Sequence, residues 1–204
     1  PASFLNAMDT IRTLFAKANV ASASLFSFNS SGACDECKGR GEIVTELAHM
    51  DPVRTHCDSC DGRRFKEDVL AHRLREKSIA DVLELTAEDA LAFFTERGVR
   101  DKLVGLIDVG LGYLNIGQSL NTLSGGERQR LKLSARLHGS GGIYVLDEPT
   151  VGLHMSDVDT IVQLLDRLVD QGNSVIVVEH NLDIIRQADW VIDLGPDGGK
   201  HGGE

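Results

Sequence analysis

Ile143-Tyr144-Val145-Leu146-Asp147-Glu148-Pro149-Thr150 is the stretch on which the reading of this chain turns. It holds four apolar residues in a row, two adjacent acids and a proline. A strand with no polar residue on either face belongs inside a parallel sheet that helices cover. Packing gives such a strand no reason to end in paired carboxylates, so Asp147 and Glu148 read as chemistry. In open α/β sheets ligands bind at the carboxyl ends of the strands, which is where these two acids fall. Asp147 there can hold Mg²⁺, directly or through water. Glu148 can orient or deprotonate a water that attacks a γ-phosphate.

Downstream, Asp157–Gln171 has Ile161, Leu164, Leu165 and Leu168 at helical spacing. Ser174–Val178 reads as a second apolar strand and Trp190–Leu194 as a third. The alternation of strand and helix predicts a parallel sheet covered on both faces. His180 follows the second strand and falls at the same sheet edge, where its place relative to Glu148 suits a γ-phosphate sensor. Upstream, Leu123-Ser124-Gly125-Gly126-Glu127 precedes a helix over 126–137. Two glycines at a helix N-terminus expose unpaired N–H groups where the dipole is positive, and Ser124 adds a hydroxyl donor, so this is a second phosphate site. Further upstream, Met8–Ala18 reads as an amphipathic helix, residues 19–33 as a loop, and 78–109 as helical, with Thr86 capping the helix through Phe94.

Residues 34–66 have little apolar mass, so something other than a core must fold them. Cys34-x2-Cys37 and Cys57-x2-Cys60 are separated by 19 residues, the spacing of a closed four-thiolate zinc site, structural in kind. Nothing marks the chain as secreted, which disfavours two disulfides. The 204 residues carry 21 Lys+Arg against 31 Asp+Glu, a net charge of −10, so bulk charge does not hold this chain on nucleic acid. Any DNA contact needs a local patch, and Arg63, Arg64 and Lys66 form the one tight basic cluster of the cysteine region. No apolar run approaches the roughly 20 residues that span a bilayer.

In this order the motifs resemble those of the ATP-binding-cassette ATPases: Leu123–Glu127 as the signature motif, Ile143–Glu148 as the Walker B strand, Val151-Gly152-Leu153-His154 as the D-loop region and His180 as the switch histidine. The resemblance is closer still to the UvrA family, the damage-recognition subunit of the bacterial excision-repair excinuclease. It rests on Phe26-Ser27-Phe28-Asn29 before the first cysteine pair, Asp108–Tyr113 ahead of the signature, Leu146–His154, Glu179–Leu182 and Ala188–Pro196, and it covers nearly the whole chain. The implied class is α/β: a cassette-type parallel sheet flanked by helices, a helical signature subdomain and an inserted four-Cys zinc module. The expected division is an N-terminal helix and loop at 1–33, the zinc module at 34–66, the signature subdomain at 67–138 and the ATP-binding core at 139–204. Zn²⁺, ATP and Mg²⁺ are the implied cofactors. Asp147, Glu148 and His180 would serve one ATP, while Ser124, Gly125, Gly126 and Glu127 would close in trans over another. The implied partners are double-stranded DNA, a second nucleotide-binding half, a homodimer partner and UvrB, in the cytoplasm.

No G-x-x-x-x-G-K-[ST] loop occurs in the 204 residues; Gly139–Gly142 has no Lys-Ser/Thr after it. The missing Met, the missing Walker A loop and the ending at Gly202-Gly203-Glu204 suggest part of a second nucleotide-binding half, inactive as an ATPase by itself. Other readings compete. The glycine-rich 138–142 stretch is similar to that of UvrA-like paralogues associated with drug tolerance. Cys34-x-x-Cys37-x-Gly39-x-Gly41 also fits the zinc knuckle of DnaJ-type chaperones, although Cys60-Asp61-Gly62-Arg63-Arg64 departs from it. A transporter or translation-factor cassette leaves the zinc module unexplained.

Overall fold

The structure, a computed structural model, describes residues 1–45, 52–135, 141–151, 153 and 155–195, with the backbone alone at 155–157. The chain divides into two compact units, Pro1–Leu123 and Ser124–Glu204.

The first unit is helical around an inserted cysteine module. α1 (Ala7–Asn19) buries Met8, Ile11 and Phe15, the stripe its periodicity announces. Phe15 meets Phe26, from a short 3₁₀ turn at Ala23–Phe26, with ring centroids 5.2 Å apart. α2 (Glu67–Leu70), α3 (Ile79–Glu84), α4 (Ala87–Phe93) and α5 (Arg97–Asp108) follow. Ser78 and Asp81 cap α3 reciprocally, and Thr86 accepts the Asp89 N–H at 3.0 Å to cap α4. Ile79, Phe94, Leu103, Leu106, Leu111 and Ile116 are fully buried with Phe15 and Phe26. Within the cysteine module β1 (Glu42–Thr45) pairs antiparallel with β2 (Val53–His56), Glu42 opposite His56.

In the second unit α6 (Gly125–Ser134) precedes β3 (Ile143–Asp147), α7 (Met155–Asp170), β4 (Ser174–Val178) and α8 (Leu182–Ile185). β3 and β4 are parallel, Ile143 opposite Ser174 and Asp147 opposite Val178. Both strands start from one fixed point: the Asn173 side-chain oxygen accepts the Gly142 N–H at 2.9 Å, and the Gly142 carbonyl accepts the Ser174 N–H at 2.9 Å. α7 packs against β4 and buries Val158, Ile161, Leu164 and Leu168. Leu146 is buried, with Tyr144, Val175 and Val177 half-buried on its side of the pair.

Two expectations are corrected here. Trp190–Leu194 is not a strand; among the described residues β3 and β4 pair only with each other, and 190–194 joins neither edge. Trp190 is 83% and Ile192 76% exposed. Nor, among the described residues, is the sheet covered on both faces: Ile143 (73%), Val145 (67%), Ile176 and Val178 form an exposed apolar face. No described helix of the chain is long and apolar enough to cross a membrane.

Candidate functional site

Asp147 ends β3, Glu148 follows it, and His180 lies two residues beyond β4, so the parallel register brings all three to one edge. The Glu148 N–H reaches the Val178 carbonyl at 2.9 Å, which carries the ladder one residue past the strand. Glu148 itself has φ +45°, the left-handed region that a side chain adopts only at a cost. Its Oε1 stands 3.6 Å from His180 Nδ1, with both side chains open to solvent.

α6 begins beside the same edge. Ser124 and Glu127 form a reciprocal capping box: the Ser124 hydroxyl accepts the Glu127 N–H at 3.2 Å, and the Glu127 carboxylate accepts the Ser124 N–H at 2.6 Å. Ser124 was expected as a donor; here the cap occupies a lone pair and leaves the O–H proton to donate. Gln129 Nε2 donates to the Asp147 carbonyl at 2.7 Å. A Cβ on Gly126 would lie 2.6 Å from the Val151 carbonyl oxygen, so glycine permits this approach. Of the expected D-loop residues, Leu153 donates its N–H to the Thr150 carbonyl at 3.0 Å, while Gly152 and His154 lie outside the described residues.

Sequence reasoning gave no role to Glu179 or Thr150. The Glu179 side chain is 2% exposed. Its Oε1 accepts the Thr150 N–H at 3.1 Å and the Thr150 hydroxyl; its Oε2 accepts the N–H groups of His180 at 2.7 Å and Asn181 at 2.9 Å. Burial by itself raises this carboxyl, but the donors outweigh it and hold Glu179 below the usual range.

In the other unit Cys34, Cys37, Cys57 and Cys60 are all buried, with their sulfurs within 4.8 Å of one another. Cys34 and Cys57 Sγ are 4.0 Å apart, and Cys37 and Cys60 Sγ 3.7 Å. A disulfide needs about 2.05 Å. A tetrahedron with Zn–S bonds of about 2.3 Å has edges of about 3.8 Å, so the donor set fits an ion of that size. Burial raises Cys34, but N–H groups of Cys37 and Glu36 and the Ser59 hydroxyl overcome it and bring the thiol down to about 6. Burial and the neighbouring thiols push Cys60 up to about 12. Each pair ends in the same backbone pattern: Lys38, Gly39 and Gly41 have positive φ after Cys37, and Asp61, Gly62 and Arg64 have it after Cys60. Arg64 thus stands where the first turn has glycine. It donates to the Gly117 carbonyl at 3.1 Å and lies over the Phe28 ring at 5.8 Å. Arg63 pairs with Glu67 at 3.4 Å and Lys66 with Asp35 at 3.0 Å.

No family model matches the chain. Curated relatives do. UvrABC system protein A of Mycoplasmopsis pulmonis is 50% identical over the whole of this chain, which covers 23% of that protein. The chain belongs to the UvrA family. UvrABC system protein A of Aquifex aeolicus is 47% identical over the same full span, again 23% of its length. The crystal structure of UvrA2 from Deinococcus radiodurans superposes with a TM-score of 0.91 at 43% identity, covering 99% of this chain and 26% of that one. The chain therefore spans about a quarter of the length of the UvrA relatives it matches. Over that quarter its fold is the UvrA one, an α/β arrangement with helices, a parallel strand pair and a four-cysteine cluster.

Proposed function

We propose that this UvrA-type chain works as part of a larger ATP-dependent DNA-binding protein that recognises damage in nucleotide excision repair. The observation that carries the reading is the meeting of Asp147, Glu148 and His180 at one sheet edge in a chain that matches UvrABC system protein A along its whole length. No comparison favours the drug-tolerance alternative.

The residues divide the work by their chemistry. Asp147 offers a hard oxygen donor that suits Mg²⁺. Glu148 orients and accepts a proton from the attacking water, and His180, 3.6 Å away, senses the γ-phosphate. Bound ATP supplies the phosphoanhydride whose cleavage drives the cycle. Ser124 donates its hydroxyl proton, and Gly125 and Gly126 their N–H groups, to an anion at the α6 N-terminus, which Glu127 holds in shape; Gly152, Leu153 and His154 would serve as the D-loop by their match to that motif. This surface would close over ATP held by a second nucleotide-binding half. Without a Walker A loop in its sequence, the 204-residue segment would not hydrolyse ATP alone. The cysteines would hold a structural Zn²⁺ that replaces the missing core of 34–66, within the four-part division given above. Arg63 and Lys66, in exposed and exchangeable ion pairs, are the better DNA-contact candidates; Arg64 is committed to Gly117 and Phe28. Homodimerisation, UvrB and a cytoplasmic location follow from the family reading.

The test uses the full-length protein, titrated onto duplex DNA with and without one bulky adduct, at fixed salt, with and without ATP. Adduct preference that changes with ATP and is altered by Glu148→Gln is the expected result. Equal affinity for both duplexes in every condition refutes damage recognition.

A further inference from the structure

Glu179 bridges two segments that carry the reactive groups. Oε1 holds Thr150, two residues after Glu148, and Oε2 holds the backbone N–H of His180 and Asn181. Its carboxylate thus lies between the turn that aims Glu148 and the loop that aims His180. That turn needs holding. Glu148 sits at φ +45°, and strained backbone of this kind survives only where its surroundings over-determine it. The Glu148 N–H bond to Val178, the Val151 N–H bond to the Glu148 carbonyl at 3.1 Å, the Gln129 bond to the Asp147 carbonyl and the Glu179 clamp on Thr150 are among the restraints on it. Glu179 itself is buried and cannot reach a nucleotide at the exposed edge where Glu148 and His180 point.

We propose that Glu179 is a positioning residue for ATP hydrolysis: by tying Thr150 to His180 and Asn181 it sets the spacing between the Glu148 carboxylate and the His180 ring. The proposal rests on the hydrolytic reading above. The depressed carboxyl pKa agrees with it, because a charged carboxylate accepts on both sides at once. Glutamine has the same shape but one acceptor oxygen, so its NH₂ must face N–H or O–H donors on one side and one half of the clamp opens.

The experiment measures steady-state ATPase of the full-length protein, with nucleotide affinity and thermal unfolding alongside. The activity that Glu148→Gln removes defines this site's share. Glu179→Gln is expected to lower the turnover of that share about 10- to 100-fold, with ATP affinity within about twofold and the unfolding transition retained. An unchanged share overturns the proposal, as does a loss of rate that only follows a loss of nucleotide affinity. Should Glu179→Gln fail to fold, Thr150→Val removes one donor from Oε1 and is expected to slow the share several-fold, with Thr150→Ser restoring it; equal rates for Val and Ser overturn the proposal. Should Glu148→Gln remove no activity at all, the hydrolytic reading falls, and the role of Glu179 with it.

Discussion

Alanine at Gly125 and alanine at Gly126 are adjacent, chemically identical changes, and the structure gives them opposite signs. A Cβ on Gly125 meets nothing within 4 Å, whereas one on Gly126 lies 2.6 Å from the Val151 carbonyl oxygen. Carbon and carbonyl oxygen ordinarily approach to about 3.3 Å, so the Gly126 variant needs a shift of about 0.7 Å. The obstacle is backbone and cannot rotate away. Overpacking of this kind costs about 1–3 kcal/mol, against about 1 kcal/mol regained from better helix propensity, which leaves about 0–2 kcal/mol of net destabilisation. Gly125→Ala meets no steric cost and restricts the unfolded chain, a gain of about 0.4–1 kcal/mol. The assay is amide hydrogen exchange of α6 peptides in the full-length protein. Gly126→Ala should speed exchange by up to about 30-fold, and Gly125→Ala should slow it about 2- to 5-fold. Equal exchange in the two variants, or protection by Gly126→Ala, refutes the claim that the Val151 contact is what demands glycine.

Cys57→Ser should release bound metal from the full-length protein and expose 34–66 to protease, because among the described residues Ile43 is the one hydrophobic packed on the cysteine cluster; metal analysis with limited proteolysis reads both, and retained metal contradicts a four-thiolate site. Acid should loosen two places through carboxyls held below their ordinary values, Asp81 at the α3 cap and Glu179. A depressed folded pKa gives stability that is present above the unfolded value of about 3.9 for Asp or 4.3 for Glu and is lost as pH falls through the folded value. Unfolding followed from pH 6 to pH 3 should show this loss, and Asp81→Asn and Glu179→Gln should each flatten the slope.

Local pattern was legible and non-local consequence was not. The apolar spacing of Met8, Ile11 and Phe15 announced α1, and the Val-rich run announced β4 to the residue, because a helix face and a buried strand write their periods into the sequence. Ser124-x-x-Glu127 was also visible as a capping box, but the two glycines between drew the reading towards phosphate alone. Trp190–Leu194 has the composition of a strand, yet composition does not decide whether a segment pairs with a neighbouring edge. Glu179 was passed over beside His180 for a related reason. Its role depends on where the parallel register of β3 and β4 places Thr150, 29 positions earlier, and that register exists only after folding.

The open face of the β3–β4 pair bears on how the segment behaves as a reagent. Ile143, Val145, Ile176 and Val178 sit on two strands whose outer edges are unpaired among the described residues, a surface to which further strands or a second apolar face adhere. A purified 204-residue fragment will tend to self-associate through it in a concentration-dependent way. Oligomers of the 204-residue chain in sedimentation or gel filtration would therefore report this bare sheet.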